Sequence, residues 1–427
     1  MVRPGRSRNN RLRLAALFLT VPLAGSLLAP ASAGTSAPQR PNEGRWSDPF
    51  AEVPLFAKRP PRNVKESLKS PPAVAMAMLP DGRVIYWGGL EGIEDGAAPV
   101  AADGGRALID SRTRLLDLRG GRPRWSTPTP EDGASHDLFC ADQRLLPDGR
   151  LIAAGGTIWR PDPIDLTPAG PDAPAGGTVE LFGSNATRLF DPKTDRWEKA
   201  PEFMDHYRWY PTLITQGNGK IFAASGVSRL IYNYSGVNVA QTETFDPATG
   251  RWRYNGESAD VSLPLYARLH LLPDGKVFYS GVGQMWGPFG QAIDEALWGI
   301  QKAYDPKKKT WTTYGMGSYG ARSGAFSTLM PLKPPYDKAQ ILVAGGTLGS
   351  SPGSYVATDL TETITVKGGS ASSVQGPPLN NRRWYSSGVL LPDGNVVALS
   401  GADKDEVILP GSESPVKQAE LYDGKSW

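Results

Sequence analysis

Apolar residues in this chain come in short runs rather than at helical spacing, and each run follows a turn and ends in small residues. Six such segments recur at spacings of about 55 to 70 residues: LPDGRVIYWGGL from Leu79, LPDGRLIAAGGT from Leu146, GNGKIFAASGV from Gly217, LPDGKVFYSGVG from Leu272, KAQILVAGGT from Lys338 and LPDGNVVALSGA from Leu391. An Asp-Gly or Asn-Gly pair between apolar runs predicts a β-hairpin, with both turn residues tolerating positive φ. A second signature follows four of the segments: LFDPKTDRW ending at Trp197, TFDPATGRW at Trp252, AYDPKKKTW at Trp311, and a shortened LYDGKSW at Trp427. Each reads as a second hairpin. Two hairpins per repeat make a four-stranded antiparallel blade, and six in series predict an all-β propeller. The glycine pairs at the strand ends let blades pack closely, so the repeats define a fold and not an activity. Only GQAIDEALWGIQKAY, Gly290–Tyr304, has the pattern of a short helix within a loop.

The ends of the chain change this picture. Residues 1–33 combine five arginines and no acid, an apolar stretch from Leu14 to Leu28, and an Ala-x-Ala pattern at Ala31–Ala33. That is a secretory signal peptide, and its apolar stretch is shorter than the roughly 20 residues a membrane span needs. Cleavage removes five of the 46 basic residues against 43 acidic ones, leaving the mature chain slightly acidic. A nucleic-acid partner therefore has no electrostatic support, and secretion or the cell envelope is the expected location, with no stable membrane span. Residues 34–65 contain NEGRWSDPF around Trp46, the closing half of a repeat, and are expected to close the propeller formed by residues 66–427.

The single cysteine excludes an intramolecular disulfide. Cys140 lies in SHDLFCADQRLL, just ahead of one hairpin, and Tyr210 lies in DHYRWYPTLITQGNGK, ahead of the next. A buried, inert thiol is the ordinary fate of such a residue. The Phe139-Cys140 pair and the RWYPT of Arg208–Thr212, one blade apart, together with the repeat order, resemble the copper-radical oxidases, the kelch-type propeller family of galactose oxidase and glyoxal oxidase. The resemblance implies a thioether bond between Cys140 and Tyr210, with Tyr210 as copper ligand and radical site. Cu(II) accepts one electron, and the tyrosyl radical accepts the second one that alcohol or aldehyde oxidation releases. Copper and the Cys-Tyr group are then the cofactors. The partners are O2, reduced to H2O2, and a small aldehyde, primary alcohol or carbohydrate.

Two departures from the family follow. Where the resemblance places a tryptophan stacked on the cross-linked tyrosine, this chain has Ser228, so Trp286 is the candidate for that role. The family's remaining copper ligands are a Tyr-His pair on a seventh blade and a histidine of a C-terminal β domain. This chain has only His136, His206 and His270, none after a tyrosine, and its pattern stops at Trp427 in the sixth repeat. The seventh blade and C-terminal domain are thus expected to be missing, and the chain as written to be an incompetent oxidase. The alternative is a non-catalytic propeller that binds glycans or a protein partner at the cell envelope. No sialidase-type S-x-D-x-G-x-T-W box occurs.

Overall fold

The second strand of every repeat is apolar at consecutive positions because both of its faces are buried. This is seen in a computed structural model that describes residues 47, 50, 75–87, 113–129, 138–161, 179–228, 238–284, 297–348, 356–403 and 415–427. Side chains alternate across a strand. Ile152 and Ala154 therefore join Leu213, Ala223 and Phe245 of the following blade, while Leu151 and Ala153 join Ile85, Trp87 and Leu115 of the preceding one. The pattern repeats through Phe222 with Val277, Phe278 with Ile341, and Leu342 with Val396. The core is a series of inter-blade layers.

Six antiparallel meanders carry these layers among the described residues, five of four strands and one of three. Their innermost strands are Ala75–Met78, Ala141–Leu145, Thr212–Thr215, Leu269–Leu271, Phe326–Leu329 and Ser387–Leu390. Their second strands are Val84–Trp87, Leu151–Gly155, Ile221–Ala224, Val277–Tyr279, Lys338–Ala344 and Val396–Leu399. The chain is a β-propeller. Trp46 lies outside the described residues, and Ile300–Asp305, expected as the end of a short helix, is the third strand of the fourth blade. Sequence reading missed the outer hairpins of two blades: Thr113–Asp117 with Arg124–Ser126, and Thr361–Lys367 with Ser370–Gln375. Neither carries the Asp-Pro turn.

The LPDG turns differ from the expected geometry. Gly82 N–H donates to Leu79 O at 2.9 Å and Leu79 N–H to Arg83 O at 2.8 Å, and only Gly82 has positive φ. This is a type I turn with a glycine bulge, which accounts for proline in second place. The aspartate has another task. Its carboxylate accepts the N–H two residues on, at Arg83, Arg150, Lys276 and Asn395, at 3.0 to 3.1 Å.

Three blades contain a buried arginine–glutamate clamp. Arg208 Nη2 lies 2.7 Å from Glu243 Oε2 and Arg322 Nη2 2.8 Å from Glu362 Oε1, and Arg383 pairs with Glu420 in the same way. Each guanidinium also donates to two backbone carbonyls: Ser225 and Gln241, Gly345 and Leu360, Ser400 and Gln418. The clamp's own backbone reaches the preceding blade, because Arg208 O accepts from Gly156 N–H at 2.9 Å and Arg383 O from Gly346 N–H at 2.8 Å. Space there is tight. A Cβ on Gly155, itself at φ +80°, would lie 2.8 Å from Arg208 O.

The closing tryptophans tie blades together in the same direction. Trp197 Nε1–H donates to Thr113 Oγ1 of the preceding blade and Trp252 Nε1–H to Thr187 Oγ1, each at 2.9 Å.

Removing one member of a buried ion pair strands the other charge. Arg322→Met is expected to lower unfolding stability by about 3–5 kcal/mol. Arg119→Ala, at a surface pair with Asp117, is expected to stay within about 0.5 kcal/mol. Urea unfolding midpoints of the two variants check the contrast.

Candidate active site

Five of the innermost strands are approached through one special residue, six positions before the first residue of the turn. In five successive blades that residue is Cys140, Tyr210, Tyr266, Gly324 and Tyr385, and all five have positive φ, between 45° and 65°. The conformation is needed to turn the chain into the strand. Tyr210 N–H donates to Cys140 O at 3.2 Å, Tyr266 N–H to Tyr210 O at 3.0 Å, and Tyr385 N–H to Gly324 O at 3.0 Å, linking blade to blade. Glycine adopts such a φ freely, whereas other residues pay about 1–2 kcal/mol. Only one of the five positions uses it. The other four positions keep a cysteine and three tyrosines in this strained conformation.

These side chains converge. Cys140 is buried, with Tyr210, Thr157 and Trp209 around its thiol. Tyr210 lies between two rings, with Trp209 at 3.8 Å between centroids and 13° between planes, and Tyr266 at 4.3 Å and 18°. Burial pushes the Cys140 thiol up, and it raises the Tyr210 and Tyr266 phenols well above their ordinary value, with smaller contributions from neighbouring Cys140 and Tyr385. All three groups stay protonated at neutral pH.

A cavity of about 530 Å³ opens on these residues, with walls from the innermost strands of all six blades. Tyr385 lines it beside Tyr210 and Tyr266, and the residue after Tyr385 is Ser386. The wall also carries Arg144, Arg268 and His270. Arg144 is paired with Asp142 at 2.9 Å, and the other oxygen of Asp142 accepts from Leu213 N–H. His270 Nε2 is 2.6 Å from Ser327 Oγ. Burial first, and then Arg268 and Arg144, lower its pKa to about 3, so the imidazole is neutral.

The sequence-predicted residues fall into three groups. Cys140 and Tyr210 are in contact. Trp286 and His136 lie outside the described residues. His206 is not on the cavity wall; its Nδ1 lies 3.5 Å from Glu243 Oε2 at the first clamp. The stacking partners are Trp209 and Tyr266, which sequence reading passed over, as it did Tyr385. The signal for both tyrosines was their register, six residues before Leu272 and Leu391.

The implied copper can be tested against the donor set. Cu(II) favours imidazole nitrogen together with oxygen in a tetragonal arrangement. The cavity offers phenol oxygens, but its one imidazole among the described residues is engaged with Ser327 and flanked by Arg268. No three of His, Cys, Asp and Glu come together among the described residues. They do not by themselves make a copper site.

No family model matches the chain. A WSC domain-containing protein of Arthroderma benhamiae is 25% identical over 309 residues, which is 67% of this chain and 28% of that protein. An F-box/kelch-repeat protein of Arabidopsis thaliana is 28% identical over 141 residues, 33% of this chain and 31% of that protein. The chain thus spans less than a third of the curated relatives it matches. Among solved structures, a novel fungal alcohol oxidase of the AA5 family, in complex with copper, superposes with a TM-score of 0.56 at 19% identity, over 83% of this chain and 63% of that one. The likeness establishes the galactose oxidase-like propeller fold. No helix among the described residues is long and apolar enough to cross a membrane.

A phenol whose folded pKa exceeds its unfolded one contributes stability that is complete below about pH 10 and is lost as pH rises toward the folded value. Alkaline destabilisation above pH 10 is therefore expected to be shallower in Tyr210→Phe than in the parent, whatever stability the variant loses at pH 8. Urea midpoints measured from pH 8 to 11 check this slope.

Proposed function

We propose that the chain is the propeller part of an exported oxidase of the copper-radical type, supplying the organic half of its redox centre. What supports this is the contact between the Cys140 thiol and Tyr210, held in a strained approach and enclosed by Trp209 and Tyr266. Joining Cys140 Sγ to the Tyr210 ring removes one hydrogen from the thiol and one from the ring. Those two protons and two electrons reduce O2 to H2O2. Sulfur substitution makes the phenol easier to oxidise, and the flanking rings exclude water from it. The reaction of this class is RCH2OH + O2 → RCHO + H2O2, or for an aldehyde RCHO + H2O + O2 → RCOOH + H2O2. Copper, when bound, supplies the one-electron couple that complements the phenol. Tyr210 and Tyr385 are the oxygen donors to it in this reading, and the nitrogen donors come from outside the described residues.

A second reading is favoured by the lack of a copper-type imidazole set among the described residues and by Arg268 on the cavity wall: a propeller that binds a ligand or partner and performs no oxidation. The two are separated by mass spectrometry of the whole exported protein after Cu(II) and O2 exposure. The oxidase reading expects the Cys140 and Tyr210 peptides linked and lighter by two hydrogens, with loss of the link in Cys140→Ser. It also expects copper-dependent H2O2 from glyoxal or galactose, abolished in Tyr210→Phe. Separate peptides and a free thiol after that treatment would leave the binding reading.

A further inference from the structure

The axial cavity contains polar groups without a hydrogen-bond partner among the described residues. Gln284 is 3% exposed, and both its amide nitrogen and its amide oxygen lack a hydrogen-bond partner. Its placement is firm, because its backbone pairs with Leu265 in both directions. Thr212 and Ser386, 5% and 4% exposed, have unpartnered hydroxyls. All three line the same cavity, from different blades. An unpaired buried polar group costs about 1–3 kcal/mol, so three on one wall are costly without a ligand.

Arg268 adds a charge to this wall. Its one hydrogen bond is from Nε to Ala325 O at 3.4 Å, which leaves the Nη groups without a partner among the described residues. The acid nearest to it, Asp142, is already taken by Arg144 and by the N–H groups of Gln143 and Leu213. The other charged or titratable groups facing Arg268 are Tyr266 and Tyr385, and His270 is neutral. The wall therefore has one uncompensated cation. A guanidinium with free Nη groups matches a carboxylate in a two-point bond, while a hydroxyl can give and take the hydrogen bonds that Gln284, Thr212 and Ser386 leave open.

We propose that the axial cavity binds a small hydroxycarboxylate, its carboxylate on the Arg268 Nη groups and its hydroxyls on Gln284, Thr212 and Ser386. At about 530 Å³ the cavity has room for such a molecule. The proposal does not depend on redox chemistry at Tyr210 and holds under either reading of function.

The test compares D-gluconate with its neutral counterpart D-glucitol, and with inorganic phosphate, by titration calorimetry on the whole chain. Gluconate is expected to bind at least about tenfold more tightly than either, since the charge-assisted pair is the added interaction. Arg268→Met is expected to weaken gluconate by about 10- to 100-fold and to leave glucitol unchanged. Without ligand, the same variant is expected to unfold at a higher urea concentration than the parent, because a half-buried cation with no ionic partner of its own is gone. A less stable Arg268→Met would make the arginine a structural residue and overturn the proposal. So would equal affinity for gluconate and glucitol, or tighter binding of phosphate. Ser386→Ala, which removes a hydroxyl with no structural partner, should weaken gluconate several-fold with an unchanged unfolding midpoint. Unaltered affinity there would remove the hydroxyl part of the proposal.

Discussion

The geometry of the axis depends on the buried arginine–glutamate clamp. A guanidinium and a carboxylate taken out of water are costly, and only full hydrogen bonding offsets that cost. In this propeller much of that set is reached by tying two carbonyls and a carboxylate to one arginine fork, and a loop N–H to the carboxylate: Asp205 to Glu243, Ser318 to Glu362, Asn380 to Glu420, while Nε of Arg322 and of Arg383 lacks a partner among the described residues. In the three blades that contain it, the clamp fixes the loop that feeds the innermost strand. Two residues after Arg208, Arg322 and Arg383 come Tyr210, Gly324 and Tyr385, so the positions with positive φ are placed by the clamps that precede them. Rigid support of this kind holds a functional group to the tolerance that chemistry needs.

Strain and burial act together at the axis. Tyr210 is turned inward by its backbone, held flat by two neighbouring rings, and kept protonated by its surroundings. The same cavity carries a surplus cation and unsatisfied amide and hydroxyl groups. It thus sets electron-rich phenols and an electropositive polar surface around one space, with Tyr266 and Tyr385 facing Arg268.

Much of this was legible in the sequence, for reasons that can be named. The hairpins were visible because a glycine bulge needs its Gly in one fixed place, and the blade interfaces because strands buried on both faces are apolar at consecutive positions. Cys140 and Tyr210 stood out through residue type. Tyr266 and Tyr385 were equally regular in register, but tyrosine ahead of a strand is a common occurrence and the stacking that gives it meaning is three-dimensional. Arg268 and Gln284 had no signal at all. What distinguishes them is a missing partner, and a missing partner is a property of the folded surroundings. The Asp-Gly turns were found for a reason that was partly mistaken, since the aspartate caps an N–H and does not need positive φ.

The bonds of the closing tryptophans Trp197 and Trp252 point backward along the chain, whereas Trp87 of the first blade donates forward to Leu138 O. Trp197 reaches Thr113 and Trp252 reaches Thr187, over 84 and 65 residues. The second and third blades therefore each dock through their closing tryptophan on a blade that has already emerged. A chain delivered from its N-terminus can add blades in order, closing loops of similar length at each step, for which the entropic cost grows only with the logarithm of length. Assembly then proceeds as a growing stack, in which each finished blade is the template surface for the next.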